Sequence, residues 1–100
     1  MEAQPAQAAY DAVLQQIHRQ GGRYSSWYCG IASDWADRLF NDHKVTRKGH
    51  WYIARQCFND SDARSVERAL LELGCKGGGG GGDRSTVFVY AYLMGPGTNP

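Results

Sequence analysis

The sequence predicts a small mixed α/β (α+β) domain, a three-stranded sheet flanked by helices in the chain order α-β-α-β-α-β. Three observations predict it. Apolar residues recur with helical period in two separate stretches, one near the start and one over 63–73. Segments rich in β-branched and aromatic residues alternate with these stretches. The connections are short, so the three strands must share one sheet to bury their faces. One hundred residues is about the usual size of one domain, and 1–100 is read as a single one.

The first helix follows Pro5: Tyr10, Val13, Leu14 and Ile17 fall at i, i+3, i+4 and i+7, and Gly21-Gly22 supply the stop, so 1–22 reads as an N-terminal helical unit. The aromatic stretch 23–32, ending in Gly30-Ile31-Ala32, reads as a strand. Ser33 is placed to cap a short helix over 34–42, with Trp35, Leu39 and Phe40 as its buried stripe. A basic loop leads to a second strand over 51–58. Asn59-Asp60-Ser61-Asp62 signals the cap of the most regular helix, on which Ala63, Val66, Ala69, Leu70 and Leu73 repeat until Gly74. Six glycines, 77–82, are too costly in backbone entropy to order, so 76–84 is expected to be a flexible loop. A third strand is expected over 86–93, and 94–100 is expected to fray.

Composition excludes several classes. No apolar run approaches the roughly 20 residues needed to span a bilayer, and the first residues lack a secretory pattern, so no membrane partner and a cytoplasmic location are expected. Cys29, Cys57 and Cys75 are odd in number and lack C-x-x-C spacing, against a disulfide framework or a zinc site. A net charge of +1 leaves only local attraction for a polyanion. The stretch 43–55 offers such a patch: Lys44, Arg47, Lys48 and Arg55, no carboxylate, and Trp51 and Tyr52 among them. A solvated loop and strand edge would have the same composition.

The residues Trp27-Tyr28-Cys29-Gly30-Ile31-Ala32-Ser33-Asp34-Trp35-Ala36-Asp37-Arg38-Leu39 resemble the second half of the signature of the GIY-YIG nucleases. In that family a strand ending in Tyr-x-Gly passes through a Ser-Asp-like turn into a helix whose Arg lies ten residues beyond the Tyr, the relation of Arg38 to Tyr28. Glu67, on the later helix, matches the family's metal-binding Glu. The resemblance covers about residues 27–74 and departs from the pattern twice. The family's first tyrosine strand has no counterpart upstream: either that tyrosine is lost or it comes from elsewhere, Tyr24 being the nearer but weaker candidate. The C-terminal strand, with Tyr90 or Tyr92, is expected to pair beside the Tyr28 strand and fill that slot, as in a circular permutation. The position one helical turn after Arg38 is Asp42; His43 comes one residue later, about 140° around a regular α-helix.

The resemblance implies a metal-dependent endonuclease that hydrolyses nucleic-acid phosphodiesters, DNA favoured over RNA, with one Mg²⁺ or Mn²⁺ held by Glu67. Arg38 would clamp the phosphate, and Tyr28 with Tyr90 or Tyr92, and His43, would handle the attacking water. Lys44, Arg47, Lys48, Trp51 and Arg55 would track the nucleic acid. Duller readings compete. Glu67 sits at the edge of its apolar stripe, Arg38 has Asp34 and Asp42 four residues to either side, and the tyrosines suit a sheet core. A nuclease-like domain without activity, binding nucleic acid or protein, and a domain serving only homo-oligomerisation are the alternatives.

Overall fold

Pro5, with φ −58°, pre-sets the first turn of α1 (Ala6–Arg19) in the computed structural model, which describes residues 1–78 and 81–100. The helix buries Ala9, Val13 and Ile17 and stops where Gly21 and Gly22 take positive φ values of 103° and 71°. The second long helix, α3 (Asp60–Glu72), begins as the sequence requires: the Asn59 side chain accepts the Asp62 N–H at 2.8 Å, and Asp60 and Asp62 lie at the positive end of the dipole. Its buried stripe is Ala63, Val66, Glu67 and Leu70, and Gly74 (φ 114°) ends it.

Among the described residues the sheet has four strands, in the order β1-β3-β4-β2: β1 (Ala3–Gln4), β2 (Trp27–Ala32), β3 (Tyr52–Cys57) and β4 (Phe88–Leu93). The expected three-stranded sheet is therefore corrected by β1, two residues that pair parallel to Gln56 and Cys57. So short a segment carries no periodic signal; the chain ahead of α1 runs past the open edge of β3 and uses its free hydrogen-bonding groups. β4 is central and antiparallel to both neighbours, opposing Tyr92 to Tyr28 and to Tyr52, and Tyr90 to Gly30 and to Ala54. The expected pairing of the C-terminal strand beside the Tyr28 strand is thus present.

Three local expectations are revised. The stretch 23–32 is strand only from Trp27, because Tyr24–Ser26 form a turn of 3₁₀ helix after the glycines. Asp34, not Ser33, caps α2 (Trp35–Asp37), accepting the Asp37 N–H at 3.0 Å. From Arg38–Asp42 the chain continues as a π-helical turn. Gly77, Gly78, Gly81 and Gly82 lie outside helix and strand, while Gly79 and Gly80 of the expected loop lie outside the described residues. The expected frayed tail is hydrogen-bonded into the body through Asn99.

Alternation along the strands sorts the core into two faces. Trp27, Cys29, Ile31, Ile53, Val89 and Ala91 pack with the buried stripes of α1 and α3. Tyr90, Tyr92, Ala32, Ala54, Leu39 and Val45 form a second cluster, with Tyr28, Tyr52, Trp35 and Phe40 half-buried around it. No helix among the described residues is long and apolar enough to cross a membrane.

Candidate functional site

At the outer edge of β2, beside the Lys76 bridge, Tyr28, Gly30, Arg38, Glu67, Gly78 and Tyr90 line a cleft of about 100 Å³. The four chemically able side chains come from β2, the π turn, α3 and β4. Each is aimed there by local structure. Tyr28 leaves β2 on the tyrosine face, stacked on Tyr92 with ring centroids 5.4 Å apart. Tyr90 crosses over Gly30, its partner in the antiparallel ladder. A Cβ at Gly30 would collide with the Tyr90 hydroxyl and stand 2.6 Å from Cζ, so the glycine makes room for the phenol.

Glu67 is 6% exposed, in the stripe of α3 that faces the sheet. Among the described residues its carboxylate has no hydrogen-bond donor, and burial raises its pKa, opposed only by Arg64. Arg64 is itself paired with Asp60 at 3.7 Å. A carboxylate so little exposed and so sparsely compensated provides one hard oxygen ligand at a water-sized space. Among the described residues no group of three or more His, Cys, Asp or Glu side chains gathers to hold a metal. The site fits a cation held by a single carboxylate with water and substrate oxygens, and does not fit a closed cage.

Arg38 is about half exposed and pairs through Nε with Asp42 Oδ2 at 3.1 Å. The Asp34–Arg38–Asp42 ladder is therefore only half formed, because Asp34 is used as the cap. The Arg38 guanidinium also lies beside the Tyr90 phenol, where it opposes the burial that pushes that phenol well above the usual tyrosine value. Cys29 borders the cleft, but its thiol is pushed far up by the hydrogen bond it shares with Cys75 and by burial, and stays protonated.

The placement of His43 reverses the geometric objection to it. In a regular α-helix residue 43 would point well away from Arg38. The π turn, in which the His43 N–H donates to the Arg38 carbonyl at 3.0 Å, absorbs the extra residue and brings His43 under the sheet. There it is 7% exposed, with Nε2 2.8 Å from the Tyr90 hydroxyl and Nδ1 2.7 Å from the Asn99 carbonyl oxygen. A carbonyl only accepts, so Nδ1 carries the proton, Nε2 is bare in the neutral ring, and Tyr90 donates to it. The Tyr92 hydroxyl is 3.2 Å from Nδ1.

The tyrosine candidates therefore separate. Tyr28 and Tyr90 face the cleft, Tyr92 is fully buried behind Tyr28, and Tyr24 hydrogen-bonds His18 at 2.9 Å elsewhere. The basic residues do not join them. Lys44, Arg47, Lys48 and Trp51 are exposed, Arg47 lying 4.2 Å from the Phe40 ring centroid. Arg47, Lys48, His50, Trp51 and Tyr52 border a separate groove of about 440 Å³. Arg55 lies on the same side of β3 as Ile53 and Cys57, the α1/α3 side, and donates to the Ala54 carbonyl at 2.8 Å. Asn99 carries no local signal in the sequence, while Gly30 was named there as part of the Tyr-x-Gly motif and not as a residue that makes room in the site. Neither family profiles, nor curated proteins, nor solved structures match this chain.

Proposed function

We propose that the chain is a metal-assisted endonuclease of the GIY-YIG type, its tyrosine strands in permuted order, hydrolysing phosphodiester bonds of nucleic acid, DNA favoured over RNA. The observation that carries this reading is the meeting of Tyr28, Arg38, Glu67 and Tyr90, drawn from four elements, around one small cleft. An ordinary boundary Glu would stand free in water; this one is 6% exposed, has no hydrogen-bond donor among the described residues, and lines the same cleft as a guanidinium and two phenols.

One Mg²⁺ or Mn²⁺ held by Glu67 would neutralise charge on the phosphoryl oxygens. The residues of the chain supply the rest. Arg38, fixed through Nε by Asp42, presents its terminal nitrogens to a phosphate. Its planar fork makes Lys a poor substitute. Tyr90 has too high a pKa to be a phenolate at neutral pH, so it acts by passing a proton: its oxygen takes one from the attacking water while its own moves to His43 Nε2. Tyr28 orients that water from the opposite wall. Hydroxide adds at phosphorus, the sugar oxygen leaves with a proton from solvent, and His43 passes its stored proton back through Tyr90 to solvent, restoring both groups.

The test is cleavage of plasmid DNA and of RNA by the purified protein with Mg²⁺ or Mn²⁺, comparing the parent with Glu67→Ala and Arg38→Ala. Metal-dependent cleavage by the parent, reduced about 100-fold or more in each variant, is expected. Equal cleavage by all three, or none by any, removes the assignment. A second reading, an inactive nucleic-acid-binding module, is favoured by the separation of the Arg47–Lys48–Trp51 groove from the cleft. It predicts binding that Trp51→Ala weakens and no cleavage.

A further inference from the structure

The segment after β4 makes more bonds than a frayed end. Its turn is closed by Thr98, whose N–H and hydroxyl both donate to the Gly95 carbonyl at 3.1 and 2.9 Å, and whose Oγ1 accepts the Gly95 N–H at 3.1 Å. Gly97 takes φ 88°, which only glycine adopts freely. The turn delivers Asn99 to the end of the π turn, where three bonds hold it. Its N–H donates to the His43 carbonyl at 2.7 Å, its carbonyl accepts from His43 Nδ1 at 2.7 Å, and its side-chain amide donates to the Asp42 carbonyl at 3.3 Å.

The same segment holds a second imidazole in the opposite state. His50 Nε2 lies 2.9 Å from the Pro96 carbonyl oxygen, while its Nδ1 accepts the Thr46 N–H at 2.9 Å, so His50 carries its proton on Nε2. Two histidines thus have opposite tautomers, each set by a main-chain carbonyl of one five-residue stretch. Only His43 is joined to the cleft, through Tyr90.

We propose that the 95–99 segment is a positioning element of the cleft: the main-chain carbonyl of Asn99 keeps the His43 proton on Nδ1, leaving Nε2 free to take the proton of Tyr90. Without that carbonyl the tautomer with the proton on Nε2 becomes accessible. In that state Tyr90 can only accept from the ring and has nowhere to send its own proton. The inference rests on the nuclease reading for its consequence, but the tautomer is a property of the protein without substrate.

The experiment is two-bond ¹H–¹⁵N NMR of the imidazoles in the full chain, in a chain ended after Gly97, and in Asn99→Pro and Asn99→Ala. In the full chain His43 should be the Nδ1–H form and His50 the Nε2–H form. Ending the chain, or Asn99→Pro, which removes the N–H bonded to the His43 carbonyl, should shift His43 toward the Nε2–H form. His50, whose Nδ1 still accepts the Thr46 N–H whether or not the Gly95–Thr98 turn is intact, should not change, which shows that the fold persists. Asn99→Ala keeps the carbonyl and should leave both rings unchanged. Single-turnover cleavage should fall about 10-fold in the first two variants with affinity for DNA retained. A His43 that stays in the Nδ1–H form in both shortened and Pro variants, or that changes in Asn99→Ala, overturns the proposal. A tautomer shift in these variants when the parent itself cleaves nothing upholds the positioning role and removes the nuclease reading instead.

Discussion

The two faces of the sheet are built from different chemistry. The face covered by α1 and α3 is mostly aliphatic, with Ala9, Val13, Ile17, Val66 and Leu70 against Ile31, Ile53, Val89 and Ala91, and, among the described residues, Trp27 as its one fully buried aromatic ring. The other face holds Tyr28, Tyr90, Tyr92 and His43 in ring contact, with His43–Tyr28, His43–Tyr92 and His43–Tyr90 centroids 4.8, 5.1 and 5.5 Å apart, under a short irregular helix. The first face is held by burial, which needs shape but no direction. The second is held by directed bonds between titratable groups, which specify a geometry and leave a cleft at its edge. The aliphatic face carries the fold, and the aromatic face carries most of the cleft, to which α3 adds Glu67 at the edge of the sheet.

Substitutions on each face should separate these roles, and the largest loss of stability belongs to the aliphatic one. Leu70→Ala is expected to cost about 2–5 kcal/mol in urea unfolding, since a fully buried side chain leaves a cavity. Its residual folded fraction should still cleave. Tyr90→Phe should cost less, about 1–3 kcal/mol, because the ring still packs while His43 Nε2 loses its donor, yet cleavage should drop to background. If Tyr90→Phe cleaves like the parent, the division between the faces fails.

Smaller effects sharpen the contrast. Asn59→Ala removes only the cap of α3 and should cost about 1 kcal/mol by the same measurement, without touching catalysis. Glu67→Gln should have the smallest effect on stability and the opposite sign near neutral pH. The folded-state pKa of Glu67 is raised above its usual 4.5, so its contribution is fully present below the unfolded value and is lost as pH rises through the folded one. The Gln variant should lose that decline and be slightly more stable at pH 7, while Mn²⁺ should raise the Tm of the parent and not of the variant. A parent whose stability stays flat from pH 4 to 8, matching the variant, would mean the carboxylate is not buried as described.

The aliphatic face was legible in the sequence because periodicity reports burial against a regular surface. Val13 and Ile17, and Val66 and Leu70, repeat with the helix, and Asn59 and Gly74 mark its ends. The aromatic face was legible only in its residue types. Nothing local says that β4 is central, that Lys76 bridges to Tyr28 beside the cleft, or that two residues before Pro5 add a strand, because these are pairings between distant segments. Reading 34–42 as regular α-helix misplaced His43, since one extra residue per turn is a choice imposed by tertiary bonding and not by propensity. Of the residues singled out, Tyr28, Arg38, Glu67 and Tyr90 share the cleft, His43 backs it, and the basic loop stands apart.

Whether the guanidinium and the carboxylate serve one phosphate is tested most directly by single-turnover cleavage in a double-mutant cycle of Arg38→Ala and Glu67→Ala. Groups acting on the same transition state should be strongly non-additive, each single variant losing nearly as much rate as the pair. Losses that multiply, or a double variant as fast as the parent, would mean that the two residues do not share a reaction.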